Sequence, residues 1–165
     1  MISLPLLGLR GLQFLWTLLT TALIGNVIHE AIAGNPSAIN YAIFVCVISW
    51  IALLFGLAGV IIESLAIPIV VLALDGLATM FTFIAGVVLA AKLGVHSCGN
   101  ASYTTTNPMT NGSLNPKKRC HELQASTAFF WFLFASFVGS LFFSFLAHKS
   151  GSLSSRRSGP SMSQV

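Results

Sequence analysis

Asp75 is the one acidic residue inside an apolar stretch of this chain, in the run Val71-Leu72-Ala73-Leu74-Asp75-Gly76-Leu77. A carboxyl in such a setting is costly, and intramembrane groups of this kind commonly serve an ion path, a proton relay or a ligand site. Arg10 and Gln13 open another apolar stretch and reach similar depth when both stretches enter from the same side. A structural ion pair or hydrogen bond is therefore the competing use of Asp75, and a protonated, neutral carboxyl also lowers the cost. The structural use is favoured, because a transporter needs more polar groups than one acid supplies.

Other combinations are weaker. His29-Glu30 is followed by Ala33 where a zinc-protease helix requires its second histidine. Asp75 has no acidic partner within the apolar runs, and Glu63 sits at a turn, so a catalytic carboxylate pair is lacking. His96, Cys98, Cys120 and His121 could form a metal set, but two cysteines near the ends of one polar loop fit a disulfide in an oxidising compartment better. Closing that loop of about 20 residues removes roughly 3 kcal/mol of unfolded-state freedom. The same loop carries two glycosylation sequons, Asn100-Ala101-Ser102 and Asn111-Gly112-Ser113. Cys46 is a buried small residue. No catalytic residue, cofactor or metal site is nominated.

The elements that position these groups follow from composition. Of 165 residues, 55% are hydrophobic and 7% charged, far below the roughly 25% charge of a soluble domain. Lipid is the implied solvent, and disorder is excluded by the same hydrophobicity. The formal charge of +4 does not imply a nucleic-acid partner, because the bases are scattered at the edges of apolar runs.

A spanning helix needs about 20 apolar residues, and four runs qualify: Gly11 to Ile28, Tyr41 to Ile62, Ile67 to Ala91 and Ala125 to Ala147. The first is opened by Arg10 and is slightly short. The second follows Gly34-Asn35-Pro36-Ser37, and Glu63-Ser64-Leu65-Ala66 makes a tight connection to the third. The fold class is thus an all-α membrane protein, an antiparallel four-helix bundle with a long loop between the third and fourth spans. The bundle covers residues 1–148, and residues 149–165 are read as a disordered cytoplasmic tail.

Arg10 followed by an apolar stretch and Ala31-Ile32-Ala33 also matches a signal peptide. The stretch is longer than a signal core, and Gln13, Thr17, Thr20 and Thr21 recur at helical spacing, so retention is expected. Lys and Arg divide evenly between the two sides of a four-span topology, four against four. The paired cysteines and the sequons then place the long loop outside and both termini in the cytoplasm. Arg156 and Arg157 in the serine-rich tail either touch anionic lipid, under phosphorylation control, or merely keep the tail solvated. Small residues at Ala52-xxx-Gly56, Ala135-xxx-Gly139, Ser136, Ser140 and Ser144 favour close helix packing. Trp16, Trp50 and Trp131 either pack between helices or anchor at headgroups.

His96-Ser97-Cys98-Gly99-Asn100-Ala101-Ser102-Tyr103, Arg119-Cys120 followed by Gln124-Ala125, Leu74-Asp75, and Ser163-Gln164-Val165 together form a recognisable pattern. On these residues the chain resembles, over nearly its full length, the fungal non-classical export protein family of MARVEL-domain proteins. Gly99 and Ala101 stand where the family pattern has more polar residues. The resemblance implies a noncatalytic organiser of furrow-like, sterol-rich plasma-membrane microdomains, linked to eisosome assembly, sphingolipid response and unconventional secretion. Its implied partners are sphingolipid or sterol and eisosome proteins; self-association is a separate expectation, since it would multiply a weak lipid preference. In that setting Asp75 would set the helix arrangement and Cys98–Cys120 would fix the outer loop. The rival reading is a small channel or transporter using Asp75.

Overall fold

The computed structural model describes residues 4–62 and 68–157. The expected connection at Glu63-Ser64-Leu65-Ala66 and the terminal Ser163-Gln164-Val165 lie outside the described residues. Four long helices, α1 (Leu4–His29), α2 (Ser37–Ile61), α3 (Pro68–Leu93) and α5 (Pro116–Arg157), form the bundle, and a short α4 (Ala101–Thr106) lies in the long loop. All four long helices are apolar and long enough to cross a membrane. Each packs on two neighbours, α1 on α2 and α5, and α3 on α2 and α5. The α1–α2 turn and the long loop share one end, and the start of α1 lies at the other.

The helix boundaries differ from the apolar runs for identifiable reasons. α1 begins a turn and a half before Arg10, because Leu4 to Leu9 is apolar and Pro5 falls in the first turn, where a missing N–H costs nothing. The charge of Arg10 does not end the span, since it is neutralised inside the bundle. α5 starts at Pro116, well before the apolar run, with the Asn115 side chain accepting the Lys118 N–H at 3.1 Å as a cap. It also continues past His148. The backbone is helical to Arg157, with no proline to interrupt it before Pro160. α3 ends at Gly94, whose φ of +62° supplies the left-handed residue that commonly closes a helix.

The apolar core is concentrated toward the loop end. There Ile24, Val27, Ile39, Val45, Leu89, Leu123 and Phe130 are buried together. A smaller layer of Ala52, Ala78, Leu133 and Phe137, backed by Trp16 and Leu74, lies nearer the termini. Large apolar side chains such as Phe14, Phe44, Leu54, Phe83 and Phe132 face outward, as lipid permits. The tryptophans serve packing: Trp16 lies against Phe129 and Phe132, Trp50 donates to Thr21 Oγ1 at 3.0 Å, and Trp131 covers Gly86. Of the small-residue positions on α5, Gly139 receives Leu9 from α1, whereas Ala135 faces outward. α1 buries Arg10, Gln13, Thr17, Thr20, Ile24 and Val27 at helical spacing and forms one wall of the bundle.

Candidate functional site

Helices α1 and α3 stand diagonally across the bundle and do not pack directly. Arg10 and Asp75 bridge that diagonal. The Arg10 guanidinium donates from Nη1 to Asp75 Oδ1 at 2.8 Å and from Nη2 to Oδ2 at 2.6 Å, and both side chains are 0% exposed. This is the planar two-bond geometry that suits arginine to carboxylates. Arg10 Nη1 also donates to Gln13 Oε1 at 2.8 Å, and Gln13 Nε2 donates onward to Ser140 Oγ at 2.7 Å and the Ser136 carbonyl at 3.2 Å. α1, α3 and α5 are therefore tied by one polar network.

α2 contributes by absence. A Cβ at Gly56 would overlap the Arg10 guanidinium, so only glycine leaves room for the arginine to cross. The Ala52-xxx-Gly56 pair thus has divided roles: Ala52 fills the core and Gly56 accommodates a charge. Because Asp75 holds the guanidinium in place, Gly56→Ala is expected to destabilise by about 1–3 kcal/mol, the range for overpacking. The cost should shrink in an Arg10→Met background, and a double-mutant cycle of unfolding midpoints in mixed micelles measures that coupling.

Asp75 and Gln13 were the polar groups expected inside the spans. Arg10, read from the sequence as a boundary residue, belongs with them and supplies the counter-charge. Both carboxylate oxygens of Asp75 are occupied by a group that does not release its proton. Arg10 Nε is buried without a partner, and the two-bond pair with Asp75 acts as a clasp between α1 and α3.

A second arginine organises the loop end. Arg119, also fully buried, donates from Nε to the Met109 carbonyl at 2.9 Å, from Nη1 to the Val27 carbonyl at 2.6 Å and from Nη2 to Asn35 Oδ1 at 2.9 Å. It thereby joins α5 to the end of α1, the α1–α2 turn and the long loop. Its neighbour Cys120 forms the disulfide with Cys98, with Cα atoms 5.6 Å apart and 22 positions of separation. The cysteines are consequently unavailable as metal ligands, His96 stacks on Tyr103 at 4.6 Å, and the described residues hold no group of three metal-binding side chains. Cys46 is free and buried.

Sequence reasoning missed Arg119 as a hub. Its only signal was its place beside Cys120. Around it, Asn26 Nδ2 donates to Glu122 Oε1 at 2.6 Å and Lys118 pairs with Glu30. The hydrogen bond from Lys118 holds the Glu30 carboxyl below its usual range. Asn107 Nδ2 donates to the Lys92 carbonyl at 3.2 Å, and Tyr103 donates to the Leu93 carbonyl, so the loop covers the end of α3. Asn100 and Asn111 are both exposed, and the Asn100 side chain accepts the Ser102 N–H at 3.1 Å to cap α4. Arg156 and Arg157 form the last described part of α5.

Four spanning helices, an interior ion-pair clasp and a disulfide-fixed loop define a multi-pass membrane protein of the MARVEL class, and the model of that membrane-associating domain matches residues 2–143. The chain is 36% identical to Non-classical export protein 2 of Saccharomyces cerevisiae, over 95% of either chain. It is 32% identical to Non-classical export protein 102 of Candida albicans, also over 95% of either chain. A Schizosaccharomyces pombe homolog of Non-classical export protein 2 is 32% identical over 68% of this chain and 60% of its own length. The chain belongs to the non-classical export protein family. No solved structure matches it.

Proposed function

We propose that the protein is a noncatalytic organiser of plasma-membrane microdomains that responds to sphingolipid or sterol content, supports eisosome assembly and through it unconventional export. The observation that carries this reading is the Arg10–Asp75–Gln13 network, which pairs the intramembrane acid with a permanent cation and uses it to fix helix arrangement. Helix length adds to it. α1 and α3 have 26 residues each, about 39 Å at 1.5 Å per residue. Sterol- and sphingolipid-rich plasma membrane has a hydrocarbon thickness of about 32–33 Å against about 27 Å in the endoplasmic reticulum. A long bundle fits the thicker membrane with less tilt, and self-association multiplies the small preference of each copy.

The disulfide and sequons favour an outward loop and cytoplasmic termini, which leaves the far end of α5, with Arg156 and Arg157, to meet anionic lipid or eisosome proteins. In giant vesicles separated into a thick sterol- and sphingolipid-rich phase and a thin phase, the labelled chain is expected to concentrate in the thick phase. A uniform distribution overturns the reading. So does ion flux in reconstituted vesicles that is lost in Asp75→Asn, the behaviour expected of a channel or transporter.

A further inference from the structure

Between the α1–α2 turn and the long loop lies an open hollow of about 610 Å³, lined by Ile32, Asn35 and Pro36 on one side and by Pro108, Asn111 and Gly112 on the other. Asn111 is exposed at its rim and begins the sequon Asn111-Gly112-Ser113. The rest of that sequon is shut. The Gly112 carbonyl accepts the Ile32 N–H at 3.0 Å, and Gly112 backs onto the Arg119 guanidinium, where a Cβ would stand 3.5 Å from Nη2. Ser113 is 5% exposed, and its Oγ is buried with no hydrogen-bond partner.

An N-glycosylating transferase reads the third-position hydroxyl together with the asparagine, and needs the segment pliable enough to enter its site. The folded loop offers the asparagine and hides the hydroxyl. A buried hydroxyl without a partner is costly, which is unusual for a group whose only task is packing. We propose that Asn111 is an N-glycan site that accepts its glycan only before the Cys98–Cys120 disulfide closes, and that the hollow beside it then seats the first sugar. Pro36, Pro108 and Ile32 offer apolar faces to the sugar ring, and Asn35 offers a polar edge.

The order of synthesis provides the interval. Asn111 and Ser113 leave the ribosome ahead of Arg119, which pins the 109–113 segment, and of Cys120, whose disulfide fixes the position of its neighbour Arg119. Closure then takes seconds or longer, while the intervening residues are made in about a second. In the transfer, Asn111 Nδ2 bonds to C1 of a lipid-pyrophosphate-linked oligosaccharide. The C1–O bond breaks, the lipid pyrophosphate leaves with the electron pair, and the amide proton passes to a base of the transferase. In closure, the two thiols give two protons and two electrons to the disulfide of a thiol oxidoreductase.

The inference rests on the loop facing the lumen. Full-length Asn100→Gln chain is translated into endoplasmic-reticulum microsomes with and without dithiothreitol, and the glycan is read as an endoglycosidase-sensitive mobility shift. Occupancy is expected to rise about twofold or more under reductant, because slowed closure prolongs the interval, and to vanish in Asn100→Gln/Asn111→Gln. Oxidised chain offered to the same membranes afterwards should gain none. Equal occupancy under both conditions, or modification of the closed chain, overturns the proposal. If the disulfide forms but Asn111 is never modified, this inference alone fails; if the chain carries neither glycan nor disulfide, the outward orientation fails with it.

Discussion

Asp75→Ala is expected to destabilise the bundle by about 3–5 kcal/mol, the cost of leaving one member of a buried ion pair without its partner. The loss is large because Arg10 is 0% exposed and its guanidinium cannot become neutral. Gln13 Oε1 would remain its one side-chain acceptor, and α1 would lose its bridge to α3 across a diagonal that no direct packing spans. Arg10→Met should cost less, since a lone carboxyl neutralises by taking up a proton. The double variant Arg10→Met/Asp75→Leu should recover most of the loss, as apolar replacements of buried pairs commonly do. Unfolding midpoints in mixed micelles order the variants. An Asp75→Ala chain as stable as the parent would remove the clasp from the account of the fold.

The same residues show what the sequence could and could not disclose. The four spans were legible because lipid demands long apolar helices, and little else produces runs of that length. The disulfide was legible because two of three cysteines flank one polar loop. The ends of the spans were less so, since charge was taken as a boundary. Arg10 carries charge into the interior, where Asp75, 65 positions away in the chain, neutralises it; their shared depth points to an ion pair, whereas no local pattern announces its two-bond geometry. Gly56 reads as a helix-contact residue for the same reason: the group needing its space belongs to α1. In the loop, Ala101 to Thr106 is rich in serine and threonine and reads as irregular, yet Asn100 caps it into one short helix.

Arg119→Ala is expected to cost about 3–5 kcal/mol, by a different route from the interior pair. Hydrogen bonds from charged donors contribute about 1.5–3 kcal/mol each, and three are lost together, to Met109, Val27 and Asn35. Their sum is not realised in full, because water can reach the freed carbonyls at this end of the bundle. Lysine should not rescue the variant, since a single ammonium cannot reproduce the fork that reaches a loop carbonyl, a helix terminus and an asparagine at once. The disulfide survives the substitution but fixes only the two ends of the loop. The segment between them depends on Arg119, through the Met109 carbonyl and the contact with Gly112. Amide exchange is therefore expected to quicken at residues 109–113 and at the end of α1, while protection around Arg10 and Asp75 stays unchanged. Uniform acceleration across both ends would mean that the two arginines stabilise a single cooperative unit; the separation of the loop-end core from the clasp by the thin layer of Ala52, Ala78, Leu133 and Phe137 argues that they do not.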